Sequence, residues 1–131
     1  MPTNNRIVSI VDDELDITQL YQDAIYGKIN GISVVCFNNP VTALEHFIEN
    51  KKDYALVISD LRMPIINGLQ FLKTVRDLNP LIRTILMTAF QINDSLFQEY
   101  TTKGIINGFL QKPIDLKQLL AEVNKQMVVA V

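Results

Sequence analysis

Short apolar runs alternate along the chain with longer segments in which apolar residues recur at helical spacing. The runs that predict strands are 6–11, 32–37, 54–59, 82–87 and 108–111. The segments that predict helices are about 14–26, 39–50, 67–79, 92–102 and 115–127. Alternation of this kind is typical of parallel βαβ units, which connect by right-handed crossovers. The pattern therefore predicts an α/β fold with a doubly wound, five-stranded parallel sheet and five helices.

Helix ends and buried faces are predicted from local signals. Asn39 and Asn67 are favourable caps, and Gly27 and Gly104 are expected to end helices. The residues predicted for the inner face of the first helix are Leu15, Leu20, Tyr21 and Ala24. Those for the second helix are Val41, Leu44, Phe47 and Ile48, and those for the last are Leu116, Leu119, Leu120, Val123 and Met127.

Composition narrows the class of protein. The 131 residues fit one domain, and 48% hydrophobic with 20% charged residues is typical of a globular chain. Twelve Lys and Arg against fourteen Asp and Glu give a formal charge of −2, so we expect no direct contact with nucleic acid or membrane. No signal pattern or membrane-length apolar run is present, and Cys36 is the only cysteine. A cytoplasmic location is therefore expected.

Polar side chains that can carry chemistry follow four of the predicted strands. Asp12 and Asp13 come after the first strand, Asp60 after the third, Thr88 after the fourth and Lys112 after the fifth. Ligands of doubly wound sheets bind outside the carboxyl ends of the strands. We therefore expect these five residues to lie around one site.

The chemistry of this set follows from its charges. Two carboxylates about 4 Å apart repel by about 4 kcal/mol at an effective dielectric constant near 20, so converging acids need protons or a cation. Oxygen ligands with open water positions suit Mg²⁺. A carboxylate can attack phosphorus to give an acyl phosphate, and Mg²⁺, the Lys112 ammonium and the Thr88 hydroxyl would then stabilise the transferred oxygens.

Each residue also has a structural alternative when it is considered alone. Asp12 and Asp13 could cap a helix, Asp60 could begin a turn, and Thr88 could simply end a strand. Surface lysines such as Lys112 are common. Their joint placement after different strands favours the functional interpretation.

The same residues resemble a known family. Asp12-Asp13, the stretch Val57-Ile58-Ser59-Asp60-Leu61-Arg62-Met63-Pro64 with Gly68, Met87-Thr88-Ala89 and Lys112-Pro113 occur in the order found in receiver domains of two-component response regulators. The resemblance covers nearly the whole chain, from about Arg6 to Gln126, and implies one receiver domain. It also implies the flavodoxin-like, CheY-like strand order 2-1-3-4-5.

The resemblance implies a role for each site residue. Asp60 would be the phosphoacceptor, and Thr88 and Lys112 would contact the phosphoryl group. Mg²⁺ would be bound by Asp12, Asp13, Asp60 and the backbone carbonyl of Arg62. The protein would catalyse only its own phosphoryl transfer and dephosphorylation, and would not otherwise be an enzyme.

Switching is expected to involve Thr88 and Phe109, which occupies the aromatic switch position of the family. Movement of Thr88 toward the phosphoryl group would let the Phe109 ring turn inward and repack the surface of the fourth helix, fifth strand and fifth helix. Because phenylalanine lacks a hydroxyl, we expect the inward state to be reached easily.

Two positions beside the predicted phosphoryl group are unusual. Arg62 follows Asp60 by two residues, and Phe90 follows Thr88 by two. Both side chains could obstruct attack by water, which predicts slow dephosphorylation. The alternative is that both point to solvent and have no effect.

The expected partners are a sensor histidine kinase or phosphotransfer protein and a downstream effector, which would bind the surface of the fourth helix, fifth strand and fifth helix. The receiver would be a monomer or a phosphorylation-dependent dimer. Two alternatives are a receiver-like module that acts without phosphorylation and a phosphatase with an aspartyl nucleophile. The phosphatase is disfavoured because Arg62 stands where such enzymes usually carry a second acid.

Overall fold

The computed structural model describes residues 6–89 and 95–129. The strands are β1 Arg6–Val11, β2 Ile32–Phe37, β3 Tyr54–Asp60, β4 Arg83–Thr88 and β5 Gly108–Gln111. The helices are α1 Leu15–Ile25, α2 Pro40–Glu49, α3 Gly68–Leu78, α4 Ser95–Thr102 and α5 Leu116–Val129, with a single 3₁₀ turn at Lys51–Asp53. Strands and helices alternate as predicted. The predicted start of the fourth helix, Ile92, lies outside the described residues.

All strands are parallel and form one sheet in the order β2-β1-β3-β4-β5. This confirms the predicted fold and strand order. Every residue of β3 is buried, as expected for the central strand of a sheet covered on both faces. One core cluster joins the sheet to α2 and α3, and a second joins its other face to α1 and α5.

Capping residues fix where the helices begin and end. The Asn39 side chain accepts a hydrogen bond from the Val41 N–H at 2.7 Å, and the Asn67 side chain accepts one from the Gln70 N–H at 2.9 Å. Gly27 follows α1 with φ +72°, in the left-handed region where glycine avoids the clash of a Cβ. The predicted caps and this predicted stop are confirmed.

The predicted inner faces of α1, α2 and α5 are partly wrong, and in α5 the predicted core residue Leu116 is 41% exposed. Leu15 and Leu20 of α1 are 70% and 53% exposed, and the buried residues are Thr18, Tyr21 and Ile25. Thr18 satisfies its hydroxyl within the fold, because it donates to the Leu15 carbonyl at 2.8 Å and accepts from the Asn38 amide at 3.2 Å. A polar residue therefore occupies the inner face.

In α2 the buried residues are Pro40, Ala43 and Phe47, whereas Val41 and Ile48 are 43% and 47% exposed. Ala43, which has a small side chain, is 2% exposed and belongs to the core cluster under α2. The larger apolar neighbours at Val41 and Ile48 are left on the flank of the helix.

None of the described helices has the length and apolar character needed to cross a membrane. Cys36 is half-buried on the edge strand β2, where its thiol donates to the Thr18 carbonyl at 3.5 Å. Burial raises the pKa of this thiol to about 11, so at neutral pH it remains protonated and unreactive.

Candidate functional site

The carboxyl ends of four strands bring the predicted site residues to one edge of the sheet. The register pairs Val11 of β1 with Ser59 of β3, and Asp60 with Met87 of β4. Asp60 and Thr88 end β3 and β4, and Asp12 directly follows the last residue of β1, so the three residues lie at nearly the same height. This edge is where ligands of doubly wound sheets bind.

Three carboxylates converge at the centre of this edge. Asp12, Asp13 and Asp60 each offer an oxygen, and these three oxygens lie within 4.8 Å of one another. Asp12 is fully buried and Asp60 is 7% exposed, whereas Asp13 faces solvent. The Glu14 N–H donates to Asp12 Oδ1 at 3.0 Å, which fixes the orientation of that carboxylate. Two buried acids and one exposed acid form a half-open group of oxygen donors.

This donor set fits a hard divalent cation. Mg²⁺ prefers oxygen ligands, is commonly held by one or two carboxylates, and keeps several water molecules. Asp12, Asp13 and Asp60 supply the carboxylates, and the exposed side of Asp13 leaves room for water. The group supplies no nitrogen or sulfur ligand that would favour zinc.

The Lys112 ammonium lies between the two buried acids. Its Nζ is 3.0 Å from Asp12 Oδ2 and 3.1 Å from Asp60 Oδ2. The Lys112 N–H also donates to the Thr88 carbonyl at 2.7 Å, so β4 and β5 position the side chain together. The peptide bond between Lys112 and Pro113 is cis. Removing Lys112 would leave the buried Asp12 and Asp60 without this cation.

Burial and nearby charge act on the ionisation of this group. Burial raises the pKa of Asp60, and the negative charge of Asp12 raises it further, against the opposing effect of Lys112. Burial lowers the pKa of Lys112, but hydrogen bonds and charge interactions with Asp12 and Asp60 outweigh this effect, and the pKa is raised. Lys112 thus remains an ammonium group, while ionised Asp60 is held at an energetic cost that a bound cation would offset.

The loop after β3 requires glycine at position 68. The Gly68 N–H donates to the Leu61 carbonyl at 2.7 Å, which brings the start of α3 against the end of β3. A Cβ at position 68 would lie 2.2 Å from the Asp60 carbonyl oxygen, far inside contact distance. Any side chain at position 68 would therefore force these two backbone segments apart.

A cleft of about 300 Å³ opens above the acids and the ammonium. Its walls are formed by Asp13, Glu14, Asp60, Leu61, Arg62, Thr88, Ala89 and Lys112. Volume on this scale admits a small group such as a phosphoryl group with bound water. Thr88 is 1% exposed, and it lines the cleft.

The predicted site residues occupy different parts of this arrangement. Asp12, Asp13, Asp60 and Lys112 cluster, and Thr88 lines the cleft with them. The exposed Arg62 side chain also lines the cleft.

The two predicted aromatic positions lie elsewhere. Phe109 is half-buried against the core cluster that contains Leu86 and Ile106, and it does not line the cleft. The predicted modulating residue Phe90 lies outside the described residues.

Sequence reasoning missed Glu14 and Ala89 as residues of the cleft. Ala89 follows Thr88 directly, so its position is a consequence of the end of β4. Glu14 follows the acid pair and directly precedes α1, where an acid is common because it interacts favourably with the positive end of the helix dipole. Only the path of the chain between β1 and α1 places it at the cleft.

The comparisons with known proteins agree with the site geometry described above. A model of the family described as response regulator receiver domain matches residues 8–124. Over 119 residues, 91% of this chain, the sequence is 31% identical to the DNA-binding transcriptional regulator NtrC of Escherichia coli (strain K12). Over 127 residues, 97% of this chain, it is 30% identical to the transcriptional regulatory protein ZraR of the same strain.

These curated relatives are much longer than this chain, which spans 24% of NtrC and 27% of ZraR. Among solved structures, a response regulator receiver domain protein from Clostridium thermocellum superposes with a TM-score of 0.82. The superposition covers 95% of each chain at 23% identity, so it shows that the fold is shared.

Proposed function

Because the chain belongs to the response regulator receiver domain family, we propose that Asp60 accepts a phosphoryl group with the help of Mg²⁺ and so switches a protein-binding surface. One observation carries this proposal. Three carboxylate oxygens within 4.8 Å and an ammonium nitrogen 3.1 Å from Asp60 gather at the mouth of one cleft. Such an arrangement can hold a divalent cation and a phosphoryl group side by side.

The chemical step uses Asp60 as the nucleophile. A carboxylate oxygen of Asp60 forms a bond to phosphorus, the bond from phosphorus to the donor atom breaks, and its electron pair leaves with the donor. Lys112 neutralises charge on the transferred oxygens, and the Thr88 hydroxyl can donate a hydrogen bond to them. A Mg²⁺ ion held by Asp12, Asp13, Asp60 and the Arg62 carbonyl would supply further positive charge beside the phosphoryl oxygens.

Two features prepare Asp60 for this step. Lys112 holds one of its oxygens at 3.1 Å, which fixes the rotamer of the side chain. The close approach of Gly68 fixes the backbone of Asp60, because the two segments are in contact. The nucleophile is therefore oriented before the donor arrives.

The new phosphoryl group would change the site through charge. Phosphorylation replaces the single negative charge of the Asp60 carboxylate with up to two on the phosphoryl group, and it places three strong acceptor oxygens near Thr88 and Lys112. We propose that Thr88 moves toward these oxygens and that the half-buried Phe109 then repacks. Leu86 pairs with Phe109 in the register of β4 and β5, two residues before Thr88. The two switch residues are thus connected through adjacent strands, and the surface of α4, β5 and α5 would change.

The partners follow from this chemistry. A sensor histidine kinase or phosphotransfer protein would donate the phosphoryl group, and an effector would recognise the surface of α4, β5 and α5. Since the chain spans about a quarter of its curated relatives, a link to a transcriptional output of the NtrC or ZraR kind is also a proposal. The cytoplasmic location and a phosphorylation-dependent dimer stay predictions from the sequence.

Incubation with acetyl phosphate and Mg²⁺, followed by intact-mass measurement, tests the proposed function. The expected result is addition of one phosphoryl group to the wild type, and none to Asp60→Asn or to wild type with excess chelator. Asp77→Asn, which removes an exposed carboxylate on α3, is the matched control and should be phosphorylated normally. An unmodified wild type would contradict the proposal and favour a receiver-like module that acts without phosphorylation. Continuous release of phosphate from unrelated phosphate esters would favour a phosphatase.

A further inference from the structure

Glu14 places a fourth carboxylate on the rim of the cleft. It lines the cleft beside Asp13, and it also lines a neighbouring groove of about 290 Å³ whose other walls are mostly apolar. Lys112 is shared by the same two hollows. Glu14 therefore stands at the border between the cleft and this groove.

The structure gives the Glu14 side chain no structural task. Glu14 is the capping residue of α1, yet its side chain makes no capping hydrogen bond, and only its backbone N–H contacts Asp12. Among the described residues, the ion pairs within 4.0 Å are Lys73–Asp77, Lys103–Glu99, Lys112–Asp12 and Lys112–Asp60. Its carboxylate is thus an exposed negative charge beside three other acids, without a cation of its own.

On the basis of the proposed function, we propose that Glu14 is a specificity residue that selects phosphoryl donors with a cationic leaving group over donors with an anionic one. A negative charge at the rim attracts a positively charged group on the donor and repels a negative one. Glu14 is a positioning and selection residue here, since Asp60 remains the nucleophile.

Two small donors differ in the charge that this carboxylate would meet. In phosphoramidate the nitrogen on phosphorus carries three protons and a positive charge. When the Asp60 oxygen bonds to phosphorus, the P–N bond breaks, its electron pair goes to nitrogen, and neutral ammonia leaves. In acetyl phosphate the P–O bond to the acetyl group breaks and acetate leaves with a negative charge.

The transition states therefore interact oppositely with Glu14. The nitrogen of phosphoramidate still carries part of its positive charge, whereas the acetate oxygen carries developing negative charge. Wild type should favour phosphoramidate relative to a variant without the carboxylate. The expected effect on the ratio of the two kcat/KM values is about three- to fivefold, as for unit charges several ångströms apart in a largely aqueous setting.

The test compares the two donors on wild type, Glu14→Gln, Glu14→Asp and Glu45→Gln at saturating Mg²⁺. Glu45 is an exposed acid on α2, which packs on the other face of the sheet. The rate ratio of phosphoramidate to acetyl phosphate should fall about three- to fivefold in Glu14→Gln only. It should remain close to the wild-type ratio in Glu14→Asp and Glu45→Gln. Changes in folding or in Mg²⁺ affinity act on both donors alike and leave the ratio unchanged.

A measurement on wild type alone gives an independent result. Raising the salt concentration from about 0.02 M to about 0.5 M screens an exposed charge, so the ratio should fall toward that of Glu14→Gln. If Asp60 is phosphorylated, equal ratios in wild type and Glu14→Gln would overturn the selection role of Glu14. A wild-type ratio that does not change with salt concentration would overturn it as well. Failure of both donors to modify wild-type Asp60 would instead overturn the proposed function together with the role of Glu14.

Discussion

Replacing Asp60 with asparagine should stabilise the protein in the absence of divalent ions. The substitution keeps the size of the side chain and removes its charge. Asp60 repels Asp12 and Asp13, whose oxygens lie within 4.8 Å, and attracts Lys112 at 3.1 Å. At an effective dielectric constant near 20, each repulsion is worth about 3.5 kcal/mol and the attraction about 5 kcal/mol.

Two repulsions thus exceed the attraction by about 2 kcal/mol, and solvent around the exposed Asp13 reduces the excess to about 1 kcal/mol. We therefore expect Asp60→Asn to raise the free energy of unfolding by about 1 kcal/mol and Tm by about 3 to 5 °C. The raised pKa of Asp60 agrees with this predicted stabilisation, because burial and the charge of Asp12 disfavour the ionised side chain.

The direction of the Asp60 pKa shift determines how the stability of the protein depends on pH. The folded state binds the Asp60 proton more tightly than the unfolded state, for which the ordinary value is 3.8. Wild-type stability should therefore fall, relative to the variant, as pH rises from about 4 through the raised pKa of the folded state. Below that range both side chains are neutral and the two proteins should be equally stable.

The assay is urea denaturation in chelator and again with Mg²⁺. At about tenfold the Kd of the wild type, Mg²⁺ should add about 1.4 kcal/mol to the wild type and much less to Asp60→Asn. The control Asp77→Asn breaks an exposed pair with Lys73, and should lose a little stability and keep the full Mg²⁺ response. Lower stability of Asp60→Asn in chelator, or an equal Mg²⁺ response of both proteins, would refute the electrostatic reasoning.

Three further predictions concern neighbouring parts of the site. Gly68→Ala should lower the free energy of unfolding by about 1 to 3 kcal/mol, measured by urea denaturation, because its Cβ would lie 2.2 Å from the Asp60 carbonyl oxygen. Unchanged stability would mean that the loop after β3 shifts at little energetic cost to make room for the Cβ. Arg62→Asn should shorten the lifetime of phospho-Asp60 about three- to tenfold, followed by mass spectrometry, if the arginine obstructs water; an unchanged lifetime supports a side chain that only faces solvent. Beryllofluoride with Mg²⁺ should shift the Phe109 ring populations seen by NMR, and equal populations would exclude its role as a switch.

The strands could be predicted almost residue by residue because each is a short run rich in apolar residues, separated from the next by a segment of helical period. Runs of four to seven residues are short for helices, and the observed strand ends differ from the predicted ones by at most one residue, in β3 and β4. The same endings located Asp60 and Lys112 correctly at one edge, since parallel strands present their carboxyl ends together. Backbone topology alone was enough to bring these residues near each other.

Helix faces were harder to predict because amphipathic helices leave several apolar residues exposed. In α1 the inner face includes Thr18. Its hydroxyl donates a hydrogen bond to the Leu15 carbonyl in the preceding turn of the same helix and accepts one from the Asn38 amide. No local signal distinguishes such a threonine from an exposed one. Leu15 was assigned to the interior for its hydrophobicity, although it is 70% exposed.

Long-range polar contacts also leave no local signal. Gln126 is 1% exposed on α5 and accepts a hydrogen bond from Arg83, 43 residues earlier, at 2.9 Å. Arg76 of α3 donates to Asn107, which precedes β5. Glu14 was missed for a local reason: it directly follows Asp13, but only the turn between β1 and α1 decides that it lines the cleft. The sequence shows these residues as ordinary polar positions of helices and loops.

The most direct test of phosphoryl capture is to map the modified residue. Protein treated with acetyl phosphate and Mg²⁺ is reduced with borohydride, which converts an aspartyl phosphate to homoserine, and its peptides are sequenced by mass spectrometry. We predict homoserine at position 60, with Asp12 and Asp13 unchanged. Homoserine at another aspartate, or none at all in fully folded protein with bound Mg²⁺, would contradict the assignment of Asp60 as the phosphoacceptor.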